Sequence, residues 1–215
     1  MSTETYLYAE RRAEAGAPLL FTFHGTGGDE LQFLPLAEQV LPGAAIISPR
    51  GDVSEHGAAR FFRRTGEGVY DMPDLAARSE AMTDFIRAHI ARLRPSRVLG
   101  LGYSNGANIL ASVMMQSPDL FDAAALMHPL IPWDPEDRDG LADKNVLITA
   151  GENDPICPAP LTRRLADYFR RQGVQTETVW HAGGHEIGRG EIDAIAGFLR
   201  KSAAPLPAGG DRISA

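Results

Sequence analysis

RVLGLGYSNGANILASVMMQ, residues 97–116, is the stretch on which the reading of the fold turns. Residues 97–103 are short, apolar and glycine-punctuated, the pattern of a buried strand. Residues 105–116 place Ala107, Ile109, Leu110, Ala111, Val113 and Met114 nearly all round a helix, so that helix is buried on most sides. Between them lies Gly102-Tyr103-Ser104-Asn105-Gly106. A glycine-flanked serine on a strand-to-helix turn projects its hydroxyl above a sheet, while the following N–H points into the same space. The five residues alone also fit a small-residue loop, so the rest of the chain must decide.

Outward from this stretch, strand and helix patterns alternate. PLLFTF (18–23), AAIISP (44–49), DAAALMH (122–128), NVLITAG (145–151) and QTETVWH (175–181) read as strands. Helical patterns start near Pro35 and cover about 75–93, 160–172 and 190–201. His89 falls on the apolar stripe of the second helix and is expected to be a satisfied, half-buried residue. Alternation of this kind predicts the α/β class, with a mostly parallel sheet covered on both faces. No repeat or linker divides the chain, so residues 1–202 are expected to form a single domain and 203–215 a fraying tail. Residues 50–74 are expected to form a long irregular loop, a kind that usually carries function.

Composition narrows the function. The chain has 215 residues and a net charge of −7, which argues against nucleic-acid binding. Its arginine pairs are spread out and interleaved with acids, as on a solvated surface. Cys157 is the single cysteine, so no internal disulfide can form, which fits a reducing compartment. The polar start MSTETYLYAERR has no apolar signal region, and no apolar run is long enough for a membrane span.

Ligands of such sheets bind beyond the carboxyl ends of the strands. Just after successive strands come His24-Gly25-Thr26-Gly27-Gly28, then Ser104, His128, Asp154, and the pair His181 and His185. Serine, acid and histidine therefore occur in the order Ser…Asp…His. A serine hydroxyl needs an adjacent base, histidine serves near neutral pH, and a carboxylate fixes the imidazole tautomer. The oxyanion that develops needs preorganised N–H donors.

HGTGGDE (24–30), PRGD (49–52), RFFRR (60–64), GYSNGANI (102–109), HPLIP (128–132), GENDPICP (151–158) and GGHEI (183–187) carry a family likeness. On these segments the chain resembles an α/β-hydrolase of the phospholipase/carboxylesterase family, related to acyl-protein thioesterases and more distantly to dienelactone hydrolases. The likeness implies Ser104 as nucleophile, Asp154 as triad acid and His185 as base, with an oxyanion hole from the N–H groups of Thr26 and Asn105. It implies a carboxylesterase acting on small to medium esters without a cofactor, in a protein that is often cytoplasmic and often dimeric. A thioesterase or lysophospholipase would use the same triad, and a non-catalytic binding protein would be expected to lack one of its members.

Rivals exist for each partner. Asp143 precedes its strand and so sits at the wrong end of the sheet, while Glu152 lies beside the right place. The D-P-I turn favours Asp154. His185 follows two glycines, a loop able to carry a ring over the sheet, whereas His181 ends a strand. His24 is expected to shape the oxyanion turn, and Cys157 to be passive. His56 and His128 stay open as pocket residues. No metal is expected, because neither His181 nor His185 has an acid or cysteine cluster beside it in the sequence. Residues 129–144 are too few to build a lid domain, so an open cleft is expected, edged by Leu130, Ile131 and Trp133, with Phe61 and Phe62 contributed by the long loop.

Overall fold

A computed structural model describes residues 2–66 and 68–204 of the chain. Its centre is a seven-stranded sheet in the order β1 (Tyr8–Arg11), β3 (Ala45–Pro49), β2 (Leu19–Phe23), β8 (Val98–Tyr103), β9 (Ala123–Met127), β10 (Asn145–Gly151) and β11 (Gln175–His181). All neighbours pair in parallel except β1, which runs antiparallel to β3 at the edge. β2, β3 and β9 are buried at every position, as expected of parallel strands covered on both faces.

Two apolar clusters flank the sheet. One packs it against α2 (Met72–Leu93), α3 (Asn105–Gln116) and α4 (Ala159–Arg171). The other packs it against α1 (Leu34–Val40) and α5 (Arg189–Ala203). This is the α/β-hydrolase architecture. No regular element interrupts residues 131–144, so no lid is evident.

Three local features depart from the expectations. β1 carries the polar sequence YAER, which lacks the apolar signal of a strand, and its backbone pairing with β3 holds it in place. Residues 50–74 are not irregular throughout. They fold into two ribbons, β4 (Val53–Glu55) with β5 (Ala58–Arg60) and β6 (Arg64–Gly66) with β7 (Val69–Tyr70). α2 then begins at Met72, where the Asp71 side chain accepts a hydrogen bond from the Asp74 N–H. Of the expected tail, residue 203 ends α5, and residues 205–215 lie outside the described residues. No helix among the described residues is long and apolar enough to cross a membrane.

Candidate active site

Ser104 sits between β8 and α3 with φ 52° and ψ −118°. A non-glycine residue held at positive φ stores roughly 1–3 kcal/mol of strain and persists only where its surroundings over-determine it. Here the Ser104 N–H donates to Met127 O at 2.9 Å, and the Asn108 N–H donates to Ser104 O at 3.0 Å. Asn105 Oδ1 accepts from the Phe61 N–H at 2.7 Å, tying the turn to the segment before β6. The two flanking glycines answer different contacts. A Cβ at 106 would collide with the Phe23 carbonyl of β2. A Cβ at 102 would lie 2.6 Å from Gly106 O and 2.8 Å from Ala107 N, in the backbone of α3 itself. Both positions therefore require glycine.

The three polar residues read from separate strands meet above the sheet. Ser104 Oγ lies 2.9 Å from His185 Nε2, and His185 Nδ1 lies 2.7 Å from Asp154 Oδ2. Asp154 Oδ1 accepts from the N–H groups of Ile156 at 2.8 Å and Cys157 at 2.9 Å, so the D-P-I turn fixes the carboxylate. Burial pushes the Asp154 carboxyl up, but hydrogen bonds from Cys157, His185, His128 and Ile156 outweigh it and hold the group below its ordinary range. The rivals stand elsewhere: the Glu152 N–H donates to His181 O, and His181 faces Glu191 rather than Ser104.

The turn at residues 24–28 approaches from β2. His24 is buried and bonded at both ring nitrogens. Nδ1 donates to Gly25 O at 2.7 Å, and Nε2 accepts from the Gly51 N–H at 2.9 Å. Burial lowers its pKa, in keeping with this neutral form. The N–H groups of Gly25, Gly27 and Gly28 are taken by Gln32 Oε1, Ala59 O and Gly25 O. The Thr26 N–H has no protein acceptor among the described residues, nor has that of Asn105. Thr26 Oγ1 accepts from Arg60 Nη1 at 2.7 Å.

A cavity of about 380 Å³ opens at Ser104 and His185. Thr26, Arg60, Arg64, Tyr70, Asn108 and Leu130 are among its lining residues. Leu130 thus stands where the sequence put it, but the other four expected pocket residues do not. Phe61, Phe62 and Ile131 are buried in the core, where Phe61 packs on Phe23 and His24. Trp133 packs edge-on to Tyr70 and lines a separate groove between α2 and α3. The aromatics pin the ribbons to the core and leave a mixed cavity wall, with Arg60, Arg64 and Asn108 beside Tyr70, Leu130 and Ile156. His56 is an exposed turn residue at φ 52° in the β4–β5 ribbon, away from the cavity.

The sequence reading missed Tyr70, Tyr103, Asn108 and Glu191 at the site. Tyr103 Oη donates to His185 O at 2.7 Å, and its ring tilts against that of His185 at 5.3 Å. Asn108 Nδ2 donates to Tyr70 Oη at 2.8 Å, its Oδ1 accepts from the Leu130 N–H at 2.6 Å, and Tyr70 Oη donates to Leu130 O. His128 is fully buried, with Nδ1 3.0 Å from Asp154 Oδ2 and Nε2 3.1 Å from Glu191 Oε1. Glu191 thereby supplies the acid whose absence from the sequence neighbourhood argued against a metal. His128, His181 and Glu191 form one metal-sized cluster, and His128, Asp154 and His185 another. The ring nitrogens already face carboxylate oxygens, and a nitrogen that donates a proton has no lone pair for a cation.

Known proteins share this frame. The model of the Dienelactone hydrolase family matches residues 63–186. MhqD of Bacillus subtilis (strain 168), named as a hydrolase, is 37% identical over 186 residues, covering 86% of this chain and 93% of that protein. The solved structure of Atu2452 from Agrobacterium tumefaciens str. C58, a protein of unknown function, is 56% identical. Its TM-score is 0.90, over 94% of this chain and 99% of that one. A Bacillus cereus carboxylesterase is 34% identical with TM-score 0.87, over 92% and 94% of the two chains.

Proposed function

Because the chain belongs to the dienelactone hydrolase family, we propose that it is a serine carboxylesterase cleaving small to medium esters through an acyl-enzyme. One observation carries the reading: Ser104 Oγ, His185 and Asp154 stand in line at 2.9 and 2.7 Å. His185 Nδ1–H donates to Asp154, which leaves Nε2 to accept the Ser104 proton. Ser104 Oγ attacks the ester carbonyl carbon as its proton passes to Nε2. The carbonyl oxygen becomes an oxyanion held by the N–H groups of Thr26 and Asn105. The tetrahedral intermediate collapses, the C–O bond to the alcohol breaks, and His185 gives the alcohol its proton. Water, deprotonated by His185, then attacks the acyl carbon. Ser104 leaves with that proton and the carboxylic acid is released.

The cavity bears on the substrate. A long apolar channel would favour a thioesterase or lysophospholipase, and a wall holding Thr26, Arg60, Arg64 and Asn108 is not one. The test is a p-nitrophenyl ester series from acetate to palmitate, run on the wild type and on Ser104→Ala. Short and medium esters are expected to turn over fastest, with turnover lost in the variant. Palmitate as the best substrate, or an unchanged Ser104→Ala, would refute the reading.

A further inference from the structure

His128 occupies an unusual position. It follows β9, the strand beside β8, and holds φ 48°, a backbone that non-glycine residues rarely adopt. Two neighbouring strands therefore run straight into strained residues, and strain of this kind gathers at functional positions. The His128 N–H is anchored on Thr149 O at 2.8 Å. The bend turns its ring beneath the triad, 5.2 Å from the His185 ring, with no exposed surface.

The partners of this ring fix its protons. Asp154 Oδ1 is occupied by two backbone N–H groups, and Oδ2 receives His185 Nδ1 and His128 Nδ1 together. A carboxylate in this role only accepts, so both Nδ1 atoms carry hydrogen. On the other side His128 Nε2 faces Glu191 Oε1 at 3.1 Å. Glu191 Oε2 accepts from the Gly188 N–H at 2.6 Å and stands 3.2 Å from His181 Nε2. His181 Nδ1 accepts from the Gly183 N–H, so its proton sits on Nε2, which lies beside Glu191 without hydrogen-bonding to it. The Gly188 N–H donates to Glu191 and a second N–H lies beside it, which fits an ionised carboxylate. His128 then needs a proton on Nε2 as well.

We propose that His128 is held as a buried imidazolium between Asp154 and Glu191 and acts as a positioning residue for the triad acid. With both carboxylates ionised, the three groups carry two negative charges and one positive. A lone buried carboxylate pair would be strongly unfavourable, and the cation removes most of that penalty while leaving one negative charge for the triad. The other groups facing His128 are the neutral rings of His181 and Tyr103, the triad His185, the Cys157 thiol on its carbonyl, and the exposed Glu186. None is a second permanent cation, so His128 alone offsets the acids. Burial works against charge on the ring, yet its hydrogen bonds to Glu191 and Asp154 raise it above its ordinary range, and both carboxylates are held below theirs.

The role assigned to the acid rests on the proposed hydrolase reading, but the protonation state does not. The experiment is side-chain ¹⁵N NMR of the histidines in the wild type and in Glu191→Gln, from about pH 6 to about pH 9. A glutamine at 191 can still accept from Gly188 and can donate to a neutral His128, so it removes charge while keeping the bonds. In the wild type both His128 nitrogens are expected to be protonated near neutral pH. In the variant Nε2 loses its proton, and the acid limb of kcat/KM moves to higher pH by about half a unit or more, since the lost cation lies nearer the base than the lost Glu191 charge. An unprotonated His128 nitrogen in the wild type near neutral pH overturns the proposal. So does an acid limb of kcat/KM that stays in place once His128 has lost its charge. Wild-type spectra alone decide the protonation if the variant fails to fold. A protonated His128 in a protein without ester turnover would leave this inference standing and remove the hydrolase reading.

Discussion

Asp154 takes four hydrogen bonds, two from its own turn and two from imidazoles, and that division of labour decides what an amide there would do. If Asp154→Asn keeps its oxygen on the N–H groups of Ile156 and Cys157, its NH₂ faces His185 Nδ1. The ring must then carry its proton on Nε2 and cannot accept from Ser104. We expect kcat for p-nitrophenyl acetate to fall by about 10³ to 10⁴ with the fold retained. Steady-state kinetics with a circular dichroism control checks this, and a loss under tenfold would contradict the assigned tautomer. Gly106→Ala acts on the backbone instead. Its Cβ meets the Phe23 carbonyl, and a rigid strand cannot yield, so a destabilisation of about 2 kcal/mol or more is expected in urea unfolding. At this scale Ser104, Asp154 and His185 were legible because each comes just after its own strand. His128 was only one candidate among several, and Glu191 carried no signal: it lies on α5, beyond the last strand, and reaches the site through tertiary packing. Asn105 also proved to be more than a backbone donor, since its side chain holds the Phe61 N–H.

Among the elements, β8 ends in a tyrosine whose hydroxyl holds the loop that carries His185. Tyr103→Phe removes one hydrogen bond worth about 1 kcal/mol, so urea stability should fall by about that much and kcat by roughly fivefold. An unchanged kcat would mean that the loop is positioned by other contacts. α2 carries the second expectation. His89 is fully buried among Tyr8, Phe21 and Phe85, with Arg92 3.0 Å from Nδ1 and no partner on Nε2 among the described residues. Burial, reinforced by Arg92, pushes its pKa down to about 4. In the unfolded chain a histidine takes up its proton below about pH 6.5. Between those values the unfolded state binds more protons, so stability is complete above about pH 6.5 and is lost toward pH 4, by up to about 3 kcal/mol. His89→Leu should lose correspondingly less stability between pH 7 and pH 4.5 in urea unfolding. Equal losses in both proteins would show that His89 is not the group responsible. The apolar strands and amphipathic helices were readable from periodicity. β1 and the ribbons of residues 53–70 were not, because backbone pairing and core aromatics stabilise them rather than a two-residue hydrophobic alternation.

For the molecule as a whole, the parallel sheet collects the ends of β2, β8, β9, β10 and β11 on one side, and the loops leaving those ends build the candidate site. The order Ser…Asp…His and the absence of residues for a lid were visible in the sequence. The character of the cleft was not, because Phe61, Phe62 and Ile131 turn into the core and leave a wall where arginines and an amide stand among apolar side chains. The central claim is that Ser104 is the nucleophile, and a fluorophosphonate probe tests it most directly. Such a probe phosphonylates an activated serine, and mass spectrometry of the digest locates the adduct. We predict one adduct, on the peptide containing Ser104, formed by the folded wild type and absent from Ser104→Ala. An adduct on another residue, or none on the folded protein, would contradict the claim.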